Sequence, residues 1–127
     1  MPSKTWTLQS DFETWTLVHL SATKTPGMLE IEDGYNLGTG TTPVYEAASF
    51  DHWSKVILNG SRPQGTNIYL RVRTGATAAG CEAAEWSPYF NGLDADGYMS
   101  FDLRVHFLNE GITEGPFIQF EVTLVGE

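Results

Sequence analysis

Apolar and polar residues alternate with period two over three stretches of this chain, the signature of strands that bury one face. In the first, Ile68, Leu70 and Val72 share a face while Tyr69, Arg71 and Arg73 share the other. In the second, Met99, Phe101, Leu103, Val105 and Phe107 stand opposite Asp102, Arg104 and His106, which predicts one long half-buried strand. In the third, Ile118, Phe120, Val122 and Leu124 alternate with Gln119, Glu121 and Thr123. Shorter stretches at 15–20, 28–32, 43–46, 53–59 and 86–90 bring the expected total to eight or nine strands.

Gly and Pro clusters punctuate these stretches, among them Asp33-Gly34, Gly38-Thr39-Gly40, Asn59-Gly60 and Glu114-Gly115-Pro116, and each reads as a turn. No segment has the period and length of an ordinary helix. Residues 75–85 are Ala-rich, but the Gly80-Cys81 pair inside them favours a loop holding at most a helical turn. Eight or nine antiparallel strands with one apolar face each are buried best as two stacked sheets. The expected fold is therefore all-β: one antiparallel β-sandwich spanning residues 1–127, of jelly-roll type.

Composition agrees with that class. Of 127 residues, 41% are hydrophobic, 13% aromatic and only 18% charged, a balance suited to pleated, half-buried surfaces rather than to disorder. Seven Lys and Arg against sixteen Asp and Glu leave a net charge of −9, which argues against nucleic acid or an anionic membrane as a partner. No apolar run approaches the ~18 residues of a spanning helix, and the opening residues lack the apolar core of a secretory signal. One cysteine, Cys81, permits no internal disulfide.

The run Gly40-Thr41-Thr42-Pro43-Val44-Tyr45-Glu46-Ala47, followed by Trp53, Pro63-Gln64-Gly65-Thr66-Asn67-Ile68, Arg71-Val72-Arg73-Thr74-Gly75 and Trp86-Ser87, resembles a recurring jelly-roll sandwich module. The closing Phe117-Ile118-Gln119-Phe120-Glu121-Val122-Thr123-Leu124 is similar to that module's last strand. Such modules occur in phage tail and capsid-associated proteins, beside carbohydrate-active domains and on bacterial cell surfaces. The segment between Gly75 and Trp86 is longer than in the module, and Ala47-Ala48 stands where glycine is usual.

Catalytic chemistry finds no motif. His19, His52 and His106 are far apart in sequence and read as strand histidines facing outward or partly satisfied; no catalytic residue and no cofactor is assigned. Cys81 reads as an inert loop thiol. Asp94 and Asp96, in Asp-x-Asp-Gly spacing, are the one candidate pair for a hard cation such as Ca²⁺, although Asx-turn chemistry explains the same two residues. Binding chemistry is better represented. Trp86 and Tyr89, beside Tyr69, Arg71 and Arg73, lie outside the core stripes and carry the residue types that stack on sugars or anchor protein interfaces. The competing reading is that Trp6, Trp15, Trp53 and Trp86 plug the core and its ends.

The expected function is a non-enzymatic structural or interaction module. The first expectation is a virion protein, such as a phage capsid-decoration, tail or baseplate component, made in the host cytoplasm and assembled with protein subunits as a homo-oligomer. The alternative is a carbohydrate-binding module of a secreted or cell-surface protein, with glycans as ligands. Loops at 76–85, 91–97 and 110–115 are expected to make the subunit contacts.

Overall fold

The computed structural model describes residues 12–22, 29–47, 52–59, 67–90 and 98–126. In chain order the elements are β1 (Thr16–Val18), β2 (Leu20–Ser21), β3 (Glu30–Ile31), β4 (Leu37–Thr41), β5 (Tyr45–Glu46), β6 (Lys55–Asn59), β7 (Asn67–Gly75), α1 (Ala78–Ala83), β8 (Tyr98–Asp102), α2 (Leu103–Glu110) and β9 (Phe117–Val125). Every strand pair is antiparallel, as the all-β expectation requires.

β9 is the centre of the main sheet. Along one side it pairs with all of β7, from Asn67 opposite Val125 to Gly75 opposite Phe117. Along the other it pairs with β4 at Glu121–Val125 and with β5 at Phe117–Ile118. Between β4 and β5 the side chain of Thr42 takes over part of the ladder: its hydroxyl accepts from the Phe120 N–H at 3.0 Å while its own N–H donates to the Phe120 carbonyl at 2.9 Å. β1 closes that side by pairing with β4. β2 with β3, and β6 with β8, form two further two-stranded sheets.

Alternation on β7 and β9 decides where the core lies. Ile68, Leu70, Val72, Ile118, Phe120 and Val122 form one buried cluster with Phe90, Leu103 and Phe107. Val56, Leu58 and Phe101 of the β6–β8 pair pack against it, and Phe101 stacks on Phe90 with centroids 4.0 Å apart.

The structure corrects three local expectations. The predicted long strand through 99–107 stops at Asp102, and an eight-residue helix, α2, follows. Asp102 caps it, its carboxylate accepting from the Val105 N–H at 3.0 Å, and Gly111 ends it in the left-handed region at φ 68°. Leu103 and Phe107, four apart, therefore share a buried helical face, while Val105 is 49% exposed instead of inward. Residues 78–83 are also helical, with Thr77 as N-cap accepting from the Gly80 N–H at 2.9 Å. Finally, Gly38-Thr39-Gly40 is the interior of β4 and not a turn. A Cβ on Gly38 would fall 2.5 Å from Leu20 Cδ2, so these glycines let a covering layer approach the backbone.

Candidate functional site

The face of the main sheet away from the core is built by register. Tyr69 stands opposite Thr123, Arg71 opposite Glu121 and Arg73 opposite Gln119. Residues 84–90 run beside β7: Leu70 and Phe90 exchange both backbone bonds at 2.9 and 2.7 Å, and the Ser87 N–H donates to the Val72 carbonyl at 2.8 Å. The same docking brings Trp86 and Tyr89 over the outer face. All five residues singled out in the sequence thus meet in one cluster, although 13 positions separate Arg73 from Trp86 in sequence.

Arg71 has a carboxylate partner within it. Its Nε and Nη2 donate to the two oxygens of Glu121 at 2.9 and 3.1 Å, a two-pronged pair that fits guanidinium to carboxylate geometry. Its guanidinium also lies 5.0 Å from the Trp86 ring centroid and 4.9 Å from that of Tyr89. The Tyr89 hydroxyl donates to Glu121 Oε1 at 3.3 Å, and the Tyr69 and Tyr89 rings meet edge to face at 6.5 Å. Arg73 is held differently. Its guanidinium lies 4.2 Å from the Trp86 centroid, close enough for a cation–π contact of about 0.5–1 kcal/mol at a solvent-reached site. Its Nε donates to Gln119 Oε1 at 2.8 Å and one terminal nitrogen reaches the Ala84 carbonyl at 3.5 Å. Gln119 is fixed in turn by donating from Nε2 to the Thr42 carbonyl at 2.7 Å.

Glu121 and Gln119 were not among the residues singled out from the sequence. The signal was present in the polar alternation of β9, but only register shows which acceptor meets which arginine.

The remaining candidates are dispersed. Asp94, Asp96 and Trp6 lie outside the described residues. Among the described residues no group of three His, Cys, Asp or Glu side chains converges as a metal centre would need, and no helix is long and apolar enough to cross a membrane. Trp15 and Trp53 pack partly buried against the core. None of the histidines is a strand residue. His19 sits in the break between β1 and β2 at φ 59°, stacked on Tyr35 at 3.8 Å, and His52 lies 3.4 Å from Glu114. Cys81 is on α1 rather than a loop; it is fully buried, and desolvation pushes its thiol pKa up against the pull of Arg73.

Of the three expected contact loops, 91–97 lies outside the described residues and 76–85 carries α1. The third, 110–115, is tied into the body. Trp53 donates from its indole to the Gly115 carbonyl at 2.7 Å and from its backbone to Glu114 at 2.9 Å, and the Gly115 N–H donates to the Thr74 hydroxyl at 3.0 Å. It is an anchored junction, because a buried polar backbone must find partners.

His106, on α2, is ringed by Phe90, Phe101 and Phe107, and its Nε2 is buried without a hydrogen-bond partner. Desolvation lowers its pKa below the ordinary 6.5, with Glu110 opposing in part. Folding therefore favours the neutral ring, so the stability it contributes is complete above pH 6.5 and is lost as pH falls through that value toward the folded-state pKa. Melting temperatures between pH 7.5 and 5.5 should fall more for the parent chain than for His106→Gln; equal slopes would remove His106 as the cause.

No protein-family model, no curated protein and no solved structure matches this chain.

Proposed function

We propose that the chain is a non-enzymatic structural module that docks protein subunits through the outer face of its main sheet. We place it in a virion, as a phage capsid-decoration, tail or baseplate component made in the host cytoplasm, and read its strands as one jelly-roll β-sandwich. What supports this is the chemistry of the cluster: Trp, Tyr and Arg are the side chains that most often dominate protein interfaces, and here they converge on a rigid ladder.

One observation favours protein over sugar. Guanidinium groups already lie over the rings of Trp86 and Tyr89, and Arg71 is held there by two bonds to Glu121. The ring faces that the guanidinium groups cover are closed to sugar stacking, whereas a protein partner can extend the network of rings and charged groups from the side left exposed. A net charge of −9 limits non-specific clustering until a matching surface arrives.

Mass spectrometry of purified virus particles from the source should find this chain at a fixed ratio to the major structural proteins, and its absence would end the virion assignment. On a glycan array the chain should bind nothing saturably. Saturable binding that Trp86→Ala abolishes would transfer the site to carbohydrate.

A further inference from the structure

We propose that Arg73 is a preformed receptor for a carboxylate side chain on the docking protein, with Trp86 as its platform. This inference rests on the outer face being a protein-docking surface. It follows from a contrast between two arginines two residues apart on one strand face. Arg71 has its carboxylate, Glu121, in a two-pronged pair. Arg73 has only neutral acceptors, the amide oxygen of Gln119 and the carbonyl of Ala84, and no carboxylate lies within ion-pair distance of it among the described residues.

A guanidinium carries five N–H donors, and Arg73 directs only two groups at the protein. Its second terminal nitrogen makes no hydrogen bond among the described residues. The group is nevertheless held in place by the Trp86 ring at 4.2 Å and by Gln119, which Thr42 locks from behind. Much of the entropy of fixing a long side chain is therefore spent in folding rather than on binding, which is what preorganisation supplies. Seven cationic side chains stand against sixteen acidic ones in the chain, so an arginine left without a carboxylate beside exposed aromatic surface is a place for an acidic group from outside. Tyr89, 52% exposed, adjoins it through Trp86 and Arg71 and offers apolar area to the rest of a peptide. Polyanions such as nucleic acid are disfavoured by the overall field, and the planar fork of a guanidinium matches the single carboxylate of an Asp or Glu.

Side-chain NMR of the whole protein tests this. The guanidinium N–H signals of Arg71, Arg73 and Arg104 and the Trp86 indole signal are followed while acetyl-Gly-Glu-Leu-Gly-amide is added, with the Gln-for-Glu peptide in parallel. Arg104, exposed on α2, reports unspecific carboxylate association. The expected result is saturable movement of Arg73 and Trp86 with the Glu peptide only, with affinity roughly tenfold above that at Arg104, the step one charge-assisted bond supplies. Arg73→Gln should abolish the Trp86 response while the Arg71 signal stays in place and certifies the fold. Equal response at Arg73 and Arg104, or equal response to both peptides, would overturn the carboxylate assignment. So would movement of these signals on dilution without peptide that Arg73→Gln leaves unchanged, because a second copy of the chain would then cover the face without placing a carboxylate on Arg73. The particle and glycan experiments test the docking surface separately, so its failure and that of the Arg73 assignment are distinguishable.

Discussion

Phe107→Ala should lower the unfolding free energy by about 3–5 kcal/mol, while Val105→Ala, two positions away, should stay within about 0.5 kcal/mol. Phe107 is fully buried and, with Leu103 four positions earlier, is one of the two buried apolar residues that α2 contributes to the core. Truncating a ring of that size removes its transfer free energy and leaves a cavity that Ile118, Phe120 and their neighbours fill only in part. Val105 points away and is 49% exposed. Had residues 99–107 formed one strand, Val105 and Phe107 would share a face and both substitutions would be costly. Denaturant titration of the two variants therefore measures the helix directly, and comparable losses would contradict it.

Gly115→Ala should cost about 3 kcal/mol, the upper end for forcing extra atoms into a packed site. A Cβ at Gly115 would run into the carbonyl of Gly75, which is backbone and cannot rotate aside. Gly75 is itself pinned on its other side, where a Cβ would fall 2.5 Å from the Cys81 backbone nitrogen. The strain would then spread to the bonds that Trp53 and Thr74 make to Gly115. Trp53→Phe keeps most of the packing and deletes only the indole donor, so about 1 kcal/mol is expected for it. A lower denaturation midpoint with unchanged slope is the outcome to look for in both. An unaffected Gly115→Ala protein would mean that the 110–115 segment is not anchored as described.

The sequence was most legible where residues are neighbours along a strand. The alternation of β7 and β9 identified both strands, assigned Ile68, Leu70, Val72, Ile118, Phe120 and Val122 to the core, and put Tyr69, Arg71 and Arg73 on the outer face. It failed at 103–110, where residues spaced by two and by four are both apolar. Leu103 and Phe107 fit either period, and Val105 tipped the count toward strand. The helix had its own local marks, Asp102 as a cap three residues before Val105 and Gly111 after its end. Gly38-Thr39-Gly40 misled for a different reason: glycine marks both turns and close approach of a covering layer, and only the position of Leu20 tells them apart.

For the candidate site, local pattern determined which side chains leave the core, because the two-residue period of a strand requires nothing beyond the chain itself. Which of them meet was decided by tertiary structure. The pairing of β7 with β9 gave Arg71 a carboxylate and Arg73 an amide, and the docking of 84–90 along β7 set Trp86 over both. Those contacts join residues up to 50 positions apart. Register and loop docking arise from the sum of core burial and ladder hydrogen bonds over the whole sheet, and no single segment carries that information.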